Sequence, residues 1–164
     1  MNDFIQWLEA SALAEFMQQS EWAFPAAEAL HVVALSLVLG TIAIVDLRLV
    51  GLASRRSSFT ALAHDCLPYT WAAFATAAVT GALMFVANAQ SYVGNTAFRL
   101  KMLLMLLAGI NMAFFELRTV RGVAAWDREA VVPVAARAAG VLSLAFWIAI
   151  VGFGRWIGFT KLPY

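Results

Sequence analysis

The most constraining feature of the sequence is a long apolar stretch, residues 25–52, that contains three ionisable side chains. As a helix, its roughly 28 residues rise about 40 Å, which is enough to cross the hydrocarbon core of a bilayer. At about 100° per residue, Glu28 and Asp46 fall on one line along this helix, with His31 about 60° away. Because such side chains do not face lipid, the stretch predicts a membrane helix whose polar stripe contacts other helices.

Composition supports this prediction for the whole chain. Of the 164 residues, 63% are hydrophobic and only 13% are charged, whereas about a quarter of the residues in a soluble domain are charged. The single cysteine, Cys66, excludes an internal disulfide and a CxxC motif. A net charge of +1 without a basic patch argues against a nucleic-acid partner. The sequence therefore predicts an integral membrane protein whose main partner is the lipid bilayer.

Hydrophobic periodicity predicts an all-α fold, a four-helix membrane bundle with an N-terminal amphipathic interfacial helix. Residues 1–24 contain acidic side chains, tryptophans and apolar residues at helical spacing, so one or two short helices are expected on the membrane surface. Residues 25–164 are expected to form the bundle, and Pro68 and Pro133 are taken as the starts of spans. The predicted spans are about 25–52, 68–87, 98–120 and 133–159.

The basic residues predict the orientation of the bundle. They concentrate after the first and third spans, and this side of a membrane protein is normally cytoplasmic. These residues are Arg48, Arg55, Arg56, Arg118, Arg121 and Arg128. Fewer basic residues, among them Lys161, lie on the opposite side. We therefore expect a multi-pass protein of the bacterial inner membrane with both termini in the periplasm.

Antiparallel spans place four polar side chains at one depth in the outer half of the bundle: Glu28, His31, Lys101 and Arg155. We expect them to converge on a polar cavity that binds a cofactor. Haem b fits this prediction, because its iron takes an axial imidazole and its propionates take cations. A quinone is the lesser alternative.

Two other interpretations of the outer layer stay open. Copper would find soft ligands in His31 with Met84 or Met105. Alternatively, the charges form structural ion pairs and no cofactor is bound.

A second set of polar residues, in the inner half of the bundle, is interpreted as a structural polar layer. It comprises Asp46, Asn111, Glu116 and Arg137.

Several sequence runs resemble an uncharacterised bacterial family of four-helix membrane proteins. These runs are HVVALSLVLGTIAIVDLRLVGL, LPYTWAAF, TGALMFVANA, NTAFRLKMLLMLLAGINMAFF and GRW. The resemblance covers about residues 25–158, and the family is similar in layout to membrane proteins of the copper-resistance D type. The family usually has a histidine after the paired phenylalanines of the third helix. Here Glu116 takes that place, which argues against an inner metal site that uses this position.

The sequence contains no catalytic motif, so no reaction is assigned. The favoured hypothesis is an inner-membrane protein that binds haem b or a quinone for membrane electron transfer. One alternative is copper handling or transport, which the resemblance implies. The other is a non-catalytic accessory subunit that packs against other membrane subunits or a second copy of itself. Its contact surface would be the stripe of small residues Ala73, Ala77 and Gly81, or the aromatic end of the fourth helix, which contains Phe146, Trp147, Phe153 and Trp156.

Cysteine labelling tests the predicted orientation. A cysteine introduced within residues 88–97 is expected to react with a membrane-impermeant maleimide in intact cells, because this connection faces the periplasm. One introduced within residues 121–130 is expected to react only after permeabilisation. Labelling of the second site in intact cells would contradict the orientation.

Overall fold

The computed structural model describes residues 2–54, 57–128 and 132–160, and this part of the chain is helical without a strand. The helices are α1 (Asn2–Glu9), α2 (Ala12–Gln19), α3 (Ala23–Val50), α4 (Phe59–Ala87), α5 (Ala89–Gly94), α6 (Thr96–Phe114) and α7 (Val134–Thr160). After α6, the chain continues as a π-helical turn, Phe115–Thr119, and a 3₁₀ segment, Val120–Ala125. The predicted all-α fold is confirmed.

Four helical segments are long and apolar enough to cross a membrane: Ala23–Val50, Phe59–Ala87, Thr96–Ala125 and Val134–Thr160. They contain 28, 29, 30 and 27 residues, respectively, which corresponds to about 40 Å each. The chain is therefore a multi-pass membrane protein. Its location in a bacterial inner membrane and its orientation stay predictions. Arg55, Arg56 and Lys161, on which the orientation partly depends, lie outside the described residues.

The second span begins earlier than predicted, and Pro68 lies inside α4 rather than at its start. Two side chains supply acceptors for the free N–H groups at the true start. The Ser58 hydroxyl accepts from the Ala61 N–H at 3.2 Å, and Asp127 Oδ1 accepts from the Thr60 N–H at 2.8 Å. A proline inside a membrane helix removes one backbone hydrogen bond, and packing against neighbouring helices compensates for this loss.

The segment after α3 is fixed to the segment after α6 by buried Arg48. Its guanidinium group donates to the carbonyl oxygens of Ser57, at 2.9 Å, and Asp127, at 3.0 Å. The Asp127 side chain in turn holds Thr60, and these hydrogen bonds lower the pKa of its carboxyl group. We call this end of the bundle the inner end. The end that carries α1, α2 and α5 is the outer end.

The four long helices form a chain of contacts rather than a closed ring. Helix α3 packs against α4 on one side and α7 on the other, and α7 packs against α6. Within the described residues, α4 and α6 share no comparable packing along their lengths. Aromatic pairs between described residues join the α4 side to the α6 side near the two ends of the bundle. Phe85 stacks on Phe98 at the outer end (ring centroids 5.7 Å apart), and Phe59 meets Phe115 at the inner end (5.6 Å).

The N-terminal helices lie over the outer ends of α3 and α4. Buried Met17 packs against the two long helices, and the Gln18 side chain donates to the Ala87 carbonyl at 2.7 Å. These helices also expose large aromatic side chains, namely Phe4, Trp7 and Phe16. Helices α1 and α2 therefore leave apolar side chains exposed, as an interfacial helix requires. Their position at a membrane surface stays a prediction.

Helix α7 packs tightly against α3 at buried Gly140. A Cβ atom added there would lie 3.0 Å from Leu49 Cβ and 3.2 Å from the Asp46 carbonyl oxygen. We expect Gly140→Ala to lower the free energy of unfolding by about 1–3 kcal/mol, because the rigid backbone of α3 must move away. Thermal or detergent-induced unfolding of the purified protein measures this change.

Gly152 on the same helix is the matched control, since a Cβ there would have no neighbour within 4 Å. We expect Gly152→Ala to change stability by less than about 1 kcal/mol. Equal destabilisation by the two substitutions would contradict a close contact at Gly140.

Candidate functional site

In the outer half of the bundle, the structure brings together two of the predicted site residues, His31 and Lys101. His31 Nδ1 lies 3.0 Å from the Thr80 hydroxyl, and the imidazole packs so tightly on Gly81 that an added Cβ would lie 3.1 Å from His31 Cε1. Lys101 packs against Gly154 of α7 and is close enough to His31 to act on it electrostatically. Small residues on α4 and α7 therefore make room for the two long polar side chains.

The structure does not bring Glu28 and Arg155 into this cluster. Both side chains are exposed, and the Arg155 guanidinium lies over the Phe159 ring of its own helix, 4.9 Å from the centroid. The expected convergence of four residues is therefore corrected for these two. Buried Ala27 is next to Glu28, so α3 turns Glu28 about 100° away from the packed side. Charges near helix ends can reach the polar interface in this way.

The predicted copper ligands face different surroundings. Met84 is buried in an apolar cluster with Met17, Ala27 and Ala87 near the outer end. Met105 lines a cavity in the inner half. Among the described residues, no three His, Cys, Asp or Glu side chains are grouped as metal ligands. Copper binding through His31 and these methionines stays a prediction.

A cavity of about 590 Å³ lies in the inner half of the bundle, between α3, α4, α6 and α7. Most of its lining is apolar, with aromatic side chains from three sides. Phe74 meets Trp147 edge to face (6.3 Å) and Trp71 in the same manner (6.2 Å). The polar side chains in the lining are Asp46, Thr70, Asn111, Glu116 and Ser143. The volume lies within the range of about 300–1,000 Å³ that is typical of small-molecule sites.

This cavity opens between α4 and α6. Of its lining residues, Trp71 on α4 is 53% exposed and Met112 on α6 is 44% exposed. The aromatic pairs described above close the gap toward both ends of the bundle. The opening therefore lies along the long helices, at the level of the four candidate spans, rather than at either end of the bundle.

Asp46 is the most unusual residue of the lining. It is only 6% exposed, and its Oδ2 atom has no hydrogen-bond partner among the described residues. Ser143 on α7 lies within hydrogen-bonding reach of the carboxyl group. A buried polar atom without a partner costs about 1–3 kcal/mol. Such an atom in the wall of a cavity indicates a place where a ligand makes the missing contact.

The inner polar residues do not form the predicted layer of ion pairs. Arg137 and Glu116 are exposed, and within the described part of the chain neither forms a salt bridge with Asp46. Helix α7 packs through Ala136 and Gly140, so the intervening Arg137 points away from the bundle. Asn111 is the exception, since its side-chain amide donates to the Ala139 carbonyl at 3.0 Å and ties α6 to α7.

Sequence analysis missed several residues of this cavity, namely Thr70, Trp71, Phe74, Ser143 and Trp147. One signal was available, because Ser143 follows the buried Ala136 and Ala139 at helical spacing and so falls on the packed side of α7. The aromatic residues gave no such signal. Aromatic side chains occur in the second, third and fourth predicted spans, and their spacing does not distinguish a cavity wall from a lipid-facing surface.

Comparisons with known proteins give one match. The model of a protein family described as "Family of unknown function (DUF6644)" matches residues 4–160, which include all four long helices. No curated protein and no solved structure matches the chain.

Proposed function

The chain belongs to the family of unknown function DUF6644, and we propose that it is an integral membrane protein that binds a lipid-soluble organic ligand in the cavity between its four long helices. The observation that carries this proposal is the position of the opening. The cavity faces the gap between α4 and α6, where two exposed lining residues meet the bilayer. A ligand dissolved in the membrane therefore reaches the cavity without passing through water.

The lining supports an amphipathic ligand. Its aromatic and aliphatic walls favour an apolar body, while Ser143, Thr70 and Asp46 offer a few polar contacts on one side. Quinones belong to this class of ligand, so the quinone hypothesis has better support in this inner cavity than in the outer layer. Electron transfer through a bound quinone needs a redox partner. This requirement agrees with the hypothesis of a subunit that packs against other membrane proteins.

Quenching of tryptophan fluorescence by a decyl-substituted benzoquinone tests the cavity, because Trp71 and Trp147 lie in its wall. We expect saturable quenching in the wild-type protein. Gly109 also lines the cavity, and a Cβ there has no neighbour within 4 Å, so a larger side chain fits and occupies the space. We expect Gly109→Leu to weaken binding about tenfold or more.

Gly152→Leu is the matched control. It adds the same side chain at a glycine that has free space but does not line the cavity. We expect this variant to bind the quinone as the wild-type protein does. Equal quenching curves for all three proteins would contradict a ligand site in the cavity.

A second candidate function, haem binding for electron transfer, is favoured by the surroundings of His31. The Thr80 hydroxyl contacts Nδ1 of His31, so Nε2 is the ring atom that would bind the iron of a haem, and an imidazole fixed in this way is typical of metal-binding histidines. Lys101 is the cation nearby that suits a propionate. A bound haem would supply one-electron chemistry, while these two side chains hold and orient it.

The absorption spectrum of the purified protein, measured together with its metal content, tests this second candidate. We expect a Soret band that is absent in His31→Ala and retained in Glu28→Gln, whose side chain is exposed outside the His31–Lys101 cluster. Stoichiometric copper without a Soret band would instead support copper handling through His31, Met84 and Met105. A protein with neither signal would contradict both cofactor hypotheses and favour a structural role for His31 and Lys101.

A further inference from the structure

We infer that the ligand of the inner cavity is a lipophilic organic cation, such as an amine or quaternary ammonium compound with an apolar body, whose positive charge pairs with Asp46. This inference rests on the proposed function and specifies the class of ligand for the same site. The charge of the lining, the environment of the Asp46 carboxyl group and the aromatic wall each support it.

The carboxyl group of Asp46 is part of a built site. The side chain is 94% buried, lines the cavity, and presents an Oδ2 atom that no described residue contacts by a hydrogen bond. An ionised carboxylate without a partner is costly in a low-dielectric interior. A positive charge on the ligand balances the carboxylate, and a protonated amine also donates the missing hydrogen bond.

The protein supplies no fixed cation for this carboxyl group within the described lining. The lining residues contain two acids, Asp46 and Glu116, and no lysine, arginine or histidine. The basic residues at neighbouring positions are directed elsewhere: Arg48 to the carbonyls of Ser57 and Asp127, Arg137 to the surface, and Lys101 to the outer cluster. The cavity therefore carries a negative excess that a cationic guest balances.

The aromatic wall fits the rest of such a ligand. Trp71, Phe74 and Trp147 form a continuous edge-to-face series that runs from α4 to α7. The faces of aromatic rings attract cations by about 0.5–2 kcal/mol, and more strongly where water is excluded. The same rings and the neighbouring aliphatic side chains pack against apolar substituents.

Other ligand charges fit less well. An anion would meet two carboxyl groups and no compensating base, so like charges would repel it. A neutral quinone fills the apolar part of the cavity but brings no positive charge to Asp46. Charge selectivity therefore distinguishes the cation from the other lipid-soluble ligands.

Equilibrium dialysis of labelled tetraphenylphosphonium against the purified full-length protein tests the inference. We expect wild-type protein to bind this cation at least about tenfold more tightly than tetraphenylborate, an anion of the same shape. We expect Asp46→Asn to lose at least about tenfold in affinity for the cation, and Asp46→Glu, which keeps the charge, to retain most of it. The matched control is Asp65→Asn, which removes an exposed carboxyl group outside the cavity.

The outcomes separate this inference from the proposed function. Two results would overturn the charge selectivity: equal binding of cation and anion by the wild-type protein, or unchanged cation binding by a folded Asp46→Asn variant. If quinone quenching still depends on Gly109 in that case, the ligand site of the proposed function stands. Cation binding and quinone quenching that are both insensitive to Gly109→Leu would overturn the site itself. The comparison of the two tetraphenyl ions needs no variant, so it decides the inference even if Asp46→Asn fails to fold.

Discussion

The close packing of α3 between α4 and α7 determines the rest of the structure. At Gly81, the absence of a side chain lets the His31 imidazole lie directly against α4, and at Gly140 it lets the α7 backbone approach Leu49 and the Asp46 carbonyl. Because α3 occupies the position between these two helices, α6 reaches the bundle through α7. The space between α4 and α6 then remains as a gap, and the cavity is the inner part of that gap.

Closure of both ends turns the gap into a bounded opening. At the outer end, Phe85 and Phe98 bring α4 and α6 together, and at the inner end Phe59 and Phe115 do the same. At the inner end, Arg48 joins the segment after α3 to the segment after α6, because it donates to the carbonyl oxygens of Ser57 and Asp127. The two aromatic pairs hold α4 and α6 together at the ends of the gap, and at the inner end Phe59 and Phe115 also form part of the cavity wall.

The two halves of the bundle differ in charge. The outer half places His31 beside Lys101, whereas the lining of the inner cavity contains Asp46 and Glu116. A sequence can place these groups at the correct depth, because depth follows from position along a span of known length. On this basis the sequence predicts that His31 and Lys101 lie at one depth in the outer half, and their role in binding a cofactor stays a prediction. The sequence could not predict that Glu28 and Arg155 are exposed, or that Arg137 forms no salt bridge with the described residues. These outcomes depend on the rotation of each helix about its axis, which is set by the face that packs against neighbouring helices.

The sequence by itself determined that the chain crosses a membrane through four long helices. Length and hydropathy fix this result, since backbone hydrogen bonds in lipid must be satisfied within each segment. Tertiary structure decided where α4 begins, because Ser58 and Asp127 cap it ahead of Pro68. It also decided that Asp46 faces a cavity rather than an arginine. A pattern along one helix identifies a polar stripe, but the partner of that stripe depends on contacts between residues far apart in the chain, such as Gly140 with Leu49.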